Sequence, residues 1–254
     1  MSGQMQGKLI AITGASRGMG RAFATLLASE GAKVLALARP SDELDSLAAE
    51  LGGSVLTIAC DISDAQAVTR AINEGARHFG RLDGLINNAA GVYITKVEAA
   101  TDEQVQRQYG ANLFGSIYAT RAAIPHLRAA GGGDIIFMSS ESVRMAFPYL
   151  TLYMSSKTAI EGFAMGLRQE LRAQGTRVTV LRSGAVDTGT ISQGWTEEQS
   201  RDFMTDALRS GCLTFSGQNA SVESMAKALL AVITLPRDIN VDLIEPRARA
   251  PLPD

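Results

Sequence analysis

Tyr153 and Lys157 stand four residues apart in Tyr153-Met154-Ser155-Ser156-Lys157, a spacing that on a helix puts both side chains on one face. An ammonium beside a phenol favours the phenolate, so a tyrosine that ordinarily titrates near pH ~10 is expected to exchange its proton closer to neutrality. Upstream, Ser140 closes the run Asp134-Ile135-Ile136-Phe137-Met138-Ser139-Ser140, which reads as a buried parallel strand with its hydroxyls at the carboxyl end. Open α/β sheets bind ligands at that edge, so the serine and the phenol are expected to converge there. Taken alone, the Tyr-Lys spacing is equally that of a surface helix, and the elements around it decide.

Those elements begin with Leu9-Ile10-Ala11-Ile12, a strand that runs into Thr13-Gly14-Ala15-Ser16-Arg17-Gly18-Met19-Gly20 and then a helix to about Glu30. Glycine at 14, 18 and 20 permits a tight turn and close backbone approach, and the helix amino end offers free N–H groups to a pyrophosphate. Gly14, Ser16, Arg17, Gly18, Met19 and Gly20 are therefore expected to hold a dinucleotide. The second strand, Val34 to Ala38, ends in Arg39, where an NAD enzyme carries a carboxylate for the ribose 2′-hydroxyl. An arginine there can grip a 2′-phosphate, and Arg17 can add a second charge, which points to NADP(H) rather than NAD(H). As solvated surface residues the two arginines would carry no such meaning.

Further along, helices are expected over Asp42 to Leu51 and Ala65 to Phe79, with a strand from Val55 to Ala59 between them and a fourth opening at Leu85-Ile86. Asp61-Ile62 follows the third strand and either holds an adenine ring or forms a turn or cap. The fourth strand ends in Asn87-Asn88-Ala89-Ala90-Gly91, small and amide residues able to lie against a cofactor or to form a plain turn. A helix from Asp102 to about Leu127 carries Asn112, a polar residue that wants a partner, and is expected to bend or end near Pro125. The Tyr153 helix runs to about Ala173, a sixth strand covers Arg177 to Leu181, and a last helix, Val222 to Leu235, precedes a strand from Asn240 to Ile244. Alternation of strands and amphipathic segments makes this an α/β chain with helices on both faces of a parallel sheet.

Composition agrees: 254 residues, 46% hydrophobic and 20% charged, with no linker composition dividing them, read as one domain over residues 1–254. A net charge of −2 without a Lys/Arg cluster argues against a nucleic-acid surface. Cys60 and Cys212 are isolated thiols, and no His, Cys or acidic group near His78 or His126 has metal-ligand spacing, so no metal is expected. Met1 to Gly7 lacks the charged and apolar regions of a signal peptide, and no apolar run reaches membrane-spanning length. A cytoplasmic protein without membrane partners is expected.

Taken together, the segments TGASRGMG, CDIS, NNAAG, ANLFGS, MSS and YMSSK resemble, in order and spacing, those of the short-chain dehydrogenase/reductase family, across essentially the whole chain. The resemblance implies a Rossmann-type, doubly wound sheet of seven parallel strands. It also implies Ser140, Tyr153 and Lys157 as a catalytic triad that Asn112 completes. Tyr153 would be the acid/base, Ser140 would hydrogen-bond the substrate oxygen, Lys157 would bind the nicotinamide ribose and Asn112 would hold a relay water. Cofactor contacts carried over by the resemblance fall on Asp61, Ile62, Asn88, Ala89, Ala90, Gly184, Val186 and Thr188, besides the glycine turn, Arg39, Tyr153 and Lys157. The implied protein is a homodimer or homotetramer, joined through the Asn112 and Tyr153 helices, that interconverts a small-molecule ketone and an alcohol.

The chain departs from that pattern in places. Ser183-Gly184 replaces the usual Pro-Gly, which puts the rigidity of the following loop in doubt; Ala90 replaces a glycine; and Glu141 follows the serine where a small residue is common. Glu141 either faces solvent or meets a polar substrate. A substrate lid is expected over 188–215, with Ile191, Trp195, Phe203 and Met204 suggesting a mainly apolar substrate, and the tail Asn240 to Arg247 lacks the commoner Val-Asp-Gly-Gly segment. A nucleotide sensor or scaffold on the same fold is the competing reading, disfavoured because binding alone needs no set of Ser, Tyr, Lys and Asn.

Overall fold

Leu9 and Ala11 face one side of the first strand and Ile10 and Ile12 the other, and all four are buried, because helices cover both faces of the sheet they belong to. The computed structural model describes residues 3–189 and 195–249. In chain order its main elements begin with β1 (Leu9–Thr13), α1 (Gly18–Ser29), β2 (Lys33–Ala38), α2 (Asp42–Leu51), β3 (Val55–Ala59), α3 (Ala65–Phe79) and β4 (Gly84–Asn87). Then come α4 (Asp102–Tyr109), α5 (Gly115–Ala129), β5 (Asp134–Ser140), α6 (Thr151–Leu171) and β6 (Arg177–Ser183). The chain continues through β7 (Val186–Asp187), α7 (Glu197–Ser210), α8 (Cys212–Ser216), β8 (Ala220–Ser221), α9 (Val222–Ile233) and β9 (Leu243–Ile244).

Seven strands form one parallel sheet in the order β3-β2-β1-β4-β5-β6-β9, and β7 pairs with β8 outside it. Strand order reverses between β1 and β4, and the carboxyl ends of those neighbours leave the crevice where such sheets take ligands. On one face Ile10, Val34, Ile136 and Met138 pack with Phe23 and Leu27 of α1 and Leu229 and Ile233 of α9. The other face carries Leu35, Ile135 and Phe137 against Ile72 of α3, Leu127 of α5 and Ile160 of α6. Each fully buried side chain of this size stabilises the fold by about 1.5–3 kcal/mol. Cys60, in the second of these layers, and Cys212, at the start of α8, are free and buried.

Local signals account for the sharpest boundaries. Ser41 accepts a hydrogen bond from Leu44 N and starts α2; Asp64 accepts from Gln66 N and Ala67 N and starts α3, which Gly80 ends in the left-handed region at φ 78°. Elsewhere the expected boundaries shift. The helix carrying Asn112 does not end at Pro125, which lies inside α5; it is interrupted earlier by a π turn over Gly110–Phe114, joining α4 to α5. The last strand pairs only at Leu243 and Ile244, because Asn240 reaches Val178 N with its side chain instead of its backbone.

Candidate functional site

Thr13, at the end of β1, accepts hydrogen bonds from the backbone N–H of Asn88 and of Ala89, each at 3.0 Å, and so ties the glycine turn to the end of β4. Asn88 completes the tie, its side-chain amide donating to the carbonyls of Thr13 and Gly14 at 3.0 and 3.1 Å. The turn is closed so tightly that a Cβ at Gly20 would stand 2.1 Å from the Gly14 oxygen and 2.6 Å from the Asn88 amide nitrogen. Gly14 and Gly18 take φ of 67° and 54°, open to glycine at no steric penalty. Behind them the first turn of α1 carries no carboxylate, so its backbone N–H groups and dipole face outward unopposed, as an anion requires. Thr188 comes against Gly18, where a Cβ would meet its side chain at 3.4 Å, and Ser183 at the end of β6 touches the sulfur of Met19. These backbone-lined surfaces fit a dinucleotide phosphate.

Arg39 projects from the end of β2, exposed, and close enough to Asp61 to help hold that carboxyl below its ordinary range. The larger cause is Ser63, whose backbone N–H and hydroxyl both donate to Asp61 Oδ1, so the Asp61 carboxylate forms a turn while Asp64 caps α3. Ile62 packs at the layer edge, where a Cβ at Gly115 would stand 2.7 Å from it.

At the centre of the edge, Ser140 and Tyr153 converge. The Ser140 hydroxyl lies close enough to the phenol to lower its pKa and accepts from Ser142 N at 3.2 Å. Lys157 lies on the same helix face as Tyr153, its Nζ 5.7 Å from the ring centroid, and donates to the Met138 carbonyl at 2.8 Å. The juxtaposition read from the spacing is present; the expected acidity is not. Burial is the largest influence on Tyr153 and drives its pKa up, the neighbouring Ser140 hydroxyl opposes this, and the charge of Glu141 adds to the rise. Burial also pushes Lys157 down from 10.5 to about 8. Loss of water is the largest influence on each group, on Lys157, which is buried, and on Tyr153, which is partly so.

Asn112 sits in the π turn, buried, and finds its partners in the Gly91 loop and on α6. Its Oδ1 accepts from Gly91 N at 2.8 Å, and its Nδ2 donates to the Gly91 carbonyl at 3.0 Å and to Ser156 Oγ at 3.1 Å. Gln108, fully buried one turn earlier, braces the same loop through Tyr93 N and the Gly91 carbonyl. Glu141 does not face solvent. It is 4% exposed, accepts the Ser216 hydroxyl hydrogen bond on Oε1 and lies 3.2 Å from Arg247 Nη2 through Oε2. On the substrate side Tyr149 adopts a left-handed φ of 60°, its carbonyl accepts from Thr95 N and its hydroxyl donates to Asp206 of α7 at 2.6 Å. Trp195 stacks edge-on against Phe203 at 5.4 Å while Met204 is 48% exposed; Ile191 lies outside the described residues.

The family described as short chain dehydrogenase matches residues 8–199. The chain belongs to that family. The protein named oxidoreductase BOA17 from Botryotinia fuckeliana is 34% identical over 231 residues, 89% of this chain and 84% of its own. A 3-ketodihydrosphingosine reductase from Bacteroides thetaiotaomicron is 33% identical over 81% of this chain and 75% of its own. Among solved structures, an alcohol dehydrogenase from the archaeon Thermococcus sibiricus, complexed with 5-hydroxy-NADP, superposes with a TM-score of 0.80 at 27% identity over 97% and 99% of the two chains. The chain is thus a short-chain dehydrogenase family oxidoreductase.

Within this family member, several organising residues escaped the sequence reading. Arg21 spans from the glycine turn to α2, donating to the Ser16 and Glu43 carbonyls and to Ser46 and Glu50. Glu43, held below its ordinary pKa first by its own backbone N–H and then by Ser41, stands near Arg17 and Arg21. Gln108, Ser216 and Arg247 also contact the site from a distance in sequence. Thr13 was the legible one, a lone hydroxyl between an apolar strand and a glycine turn. No helix among the described residues is long and apolar enough to cross a membrane.

Proposed function

We propose that this oxidoreductase uses NADP(H) to interconvert a carbonyl and a secondary alcohol, with Tyr153 as the acid/base. The observation that carries the reading is the juxtaposition of Ser140 and Tyr153 beside Lys157, at the sheet edge where the glycine turn leaves its backbone open. When bound, the nicotinamide supplies or accepts hydride at its C4. Gly14, Ser16, Arg17, Gly18, Met19 and Gly20 would hold the phosphates, Ile62 and Asp61 the adenine, and Asn88, Ala89, Ala90, Gly184, Val186 and Thr188 the ribose and amide. In reduction, Tyr153 gives its proton to the developing alkoxide while Ser140 donates a hydrogen bond to it, and Lys157 holds the ribose. A phenol with a raised pKa keeps its proton at neutral pH, the form needed for reduction, although it is a weaker acid; in oxidation the same shift makes the deprotonated base harder to form.

Arg39 and Arg17 support a 2′-phosphate, as no carboxylate ends β2. The alcohol dehydrogenase in complex with 5-hydroxy-NADP supports that preference, although a 3-ketoacyl-(acyl-carrier-protein) reductase of the same fold is complexed with NADH, and the relative named 3-ketodihydrosphingosine reductase supports a ketone substrate. A panel of ketones and alcohols offered with NADPH or NADP, and with NADH or NAD, tests the reading through nicotinamide absorbance. Tyr153→Phe is expected to lower kcat about a hundredfold or more while NADPH still binds. Arg39→Asp is expected to shift preference towards NAD(H). Retained turnover in the first variant, or unchanged discrimination in the second, removes the corresponding role.

A chain acting as one domain, with 188–215 as its substrate lid, belongs to the same proposal, as does a cytoplasmic location. Exposed Phe114 and Met165, 46% and 64% accessible on the π turn and α6, support pairing of two or four copies through those helices. Sedimentation of the purified protein as a monomer would dismiss that arrangement.

A further inference from the structure

Glu141 is buried beside Ser140, and the cation that meets it comes from the far end of the chain. Arg247 reaches it from the tail beyond β9 at 3.2 Å, and Ser216, the last residue of α8, donates to its other oxygen. That guanidinium also donates to the Phe215 carbonyl and lies 4.0 Å over the Phe215 ring. The stem of the same side chain lies along the loop after β6. A Cβ at Gly184 would stand 3.1 Å from Arg247 Cγ and 3.2 Å from its Cα, and Gly184 N donates to the Pro246 carbonyl at 3.1 Å. One side chain therefore touches the segment that follows Ser140, the loop expected at the nicotinamide and the end of the expected lid.

We propose that Arg247 is a positioning residue: its guanidinium neutralises Glu141 next to Ser140 and Tyr153 while its stem holds Gly184, so the tail sets both the charge and the shape of the site. The proposal rests on the carbonyl-alcohol reading above for its kinetic consequences, though not for its structural ones. Tyr153 is faced by Lys157 from its own helix and by Ser140 and Glu141 from the end of β5. Glu141 is faced by Ser216 of α8 and Arg247 of the tail. Arg144 pairs with Glu245, and Arg182 with Glu161 and Glu245, while Arg247 also faces Glu245 at 4.0 Å through Nη1 and is the ion-pair partner of Glu141 among the described residues. Glu141 thus depends on Arg247 for its counter-charge, and an uncompensated carboxylate would oppose formation of the phenolate. Gly184 follows Ser183 where a proline would have stiffened the loop; Arg247 and Pro246 take over that restraint from outside.

The test compares Arg247→Met, Arg247→Lys, Glu141→Gln and the Arg247→Met/Glu141→Gln double variant with the parent. Two readouts are used: the pH profile of kcat, and the absorbance titration of the Tyr153 phenol, taken as the difference from Tyr153→Phe. Arg247→Met is expected to raise the phenol pKa by about one unit and to lower kcat for alcohol oxidation about tenfold at neutral pH. Adding Glu141→Gln is expected to bring the pKa back to the parent value or below, and Arg247→Lys, which keeps the charge, to leave it in place. A fall in thermal stability with an unmoved phenol pKa, or a rise that Glu141→Gln does not reverse, overturns the proposal. Should the parent turn over no ketone or alcohol, the carbonyl-alcohol reading fails while the phenol titration still decides the role of Arg247. If Arg247→Met does not fold, an unmoved phenol pKa in Glu141→Gln alone refutes it.

Discussion

The two ends of the candidate site are held by different kinds of bond. On the cofactor side, Thr13, Gly14, Gly20 and Asn88 meet through backbone groups, a hydroxyl and a neutral amide, and the close approach of main chain to main chain does the shaping, with the Arg21–Glu50 ion pair bracing the turn from α2 behind. On the substrate side the ties are charged and long in sequence. Arg182 of β6 grips Glu161 of α6 at 2.6 Å and Glu245 of the tail at 2.9 Å, Ser139 donates to Glu161, and Arg247 reaches Glu141. A surface that must present N–H groups to a phosphate gains from lacking side chains. A wall assembled from the end of β5, α8 and the tail has little regular backbone pairing to hold it, so directional charged bonds between side chains take that part.

If that contrast is right, breaking the charged side should have the largest effect. Arg182→Met leaves Glu161, mostly buried, without its cation, while Glu245 keeps Arg144, and is expected to destabilise the protein by about 3 kcal/mol, read as a fall in the urea midpoint. A loss below about 1 kcal/mol would make the two sides alike.

Lys157 sharpens the contrast, as a buried charge at their junction. Its folded pKa of about 8 lies below the ordinary 10.5, so between those values the unfolded chain keeps a proton that the folded chain has released. Stability attributable to this residue therefore rises with pH from about 8 to 10.5, and below about 8 the buried ammonium counts in full against the fold. Unfolding measured across that window should show the parent gaining on Lys157→Met by on the order of 3 kcal/mol. A constant difference between the two proteins would show that Lys157 does not titrate there.

On the neutral side, Gly20→Ala drives a methyl into the Gly14 oxygen and the Asn88 amide. The expected loss of stability is about 1–3 kcal/mol. Affinity for NADPH should fall with it, because opening the turn displaces the N–H groups that face the phosphates. Unchanged NADPH affinity in a stable variant would show that close backbone contact is not what shapes this side.

The sequence itself determined what depends on neighbours along the chain. Strand alternation such as Leu9 to Ile12, the caps at Ser41 and Asp64, the glycine stop at Gly80 and the four-residue step from Tyr153 to Lys157 all act within a turn or two. Their elements accordingly appear where they were read, among them Asp42–Leu51, Val55–Ala59 and Ala65–Phe79. Only the tertiary structure decided that α5 runs through Pro125, because the helix is held by its packing against α3 and the sheet. It alone gave Asn112 its partners in the Gly91 loop, and gave Glu141 a cation from the tail rather than from solvent. The acidity of Tyr153 belongs with these. Spacing places a lysine beside it, but the balance between that charge and the loss of water depends on how deeply the surrounding layers bury both groups, which only the assembled fold sets.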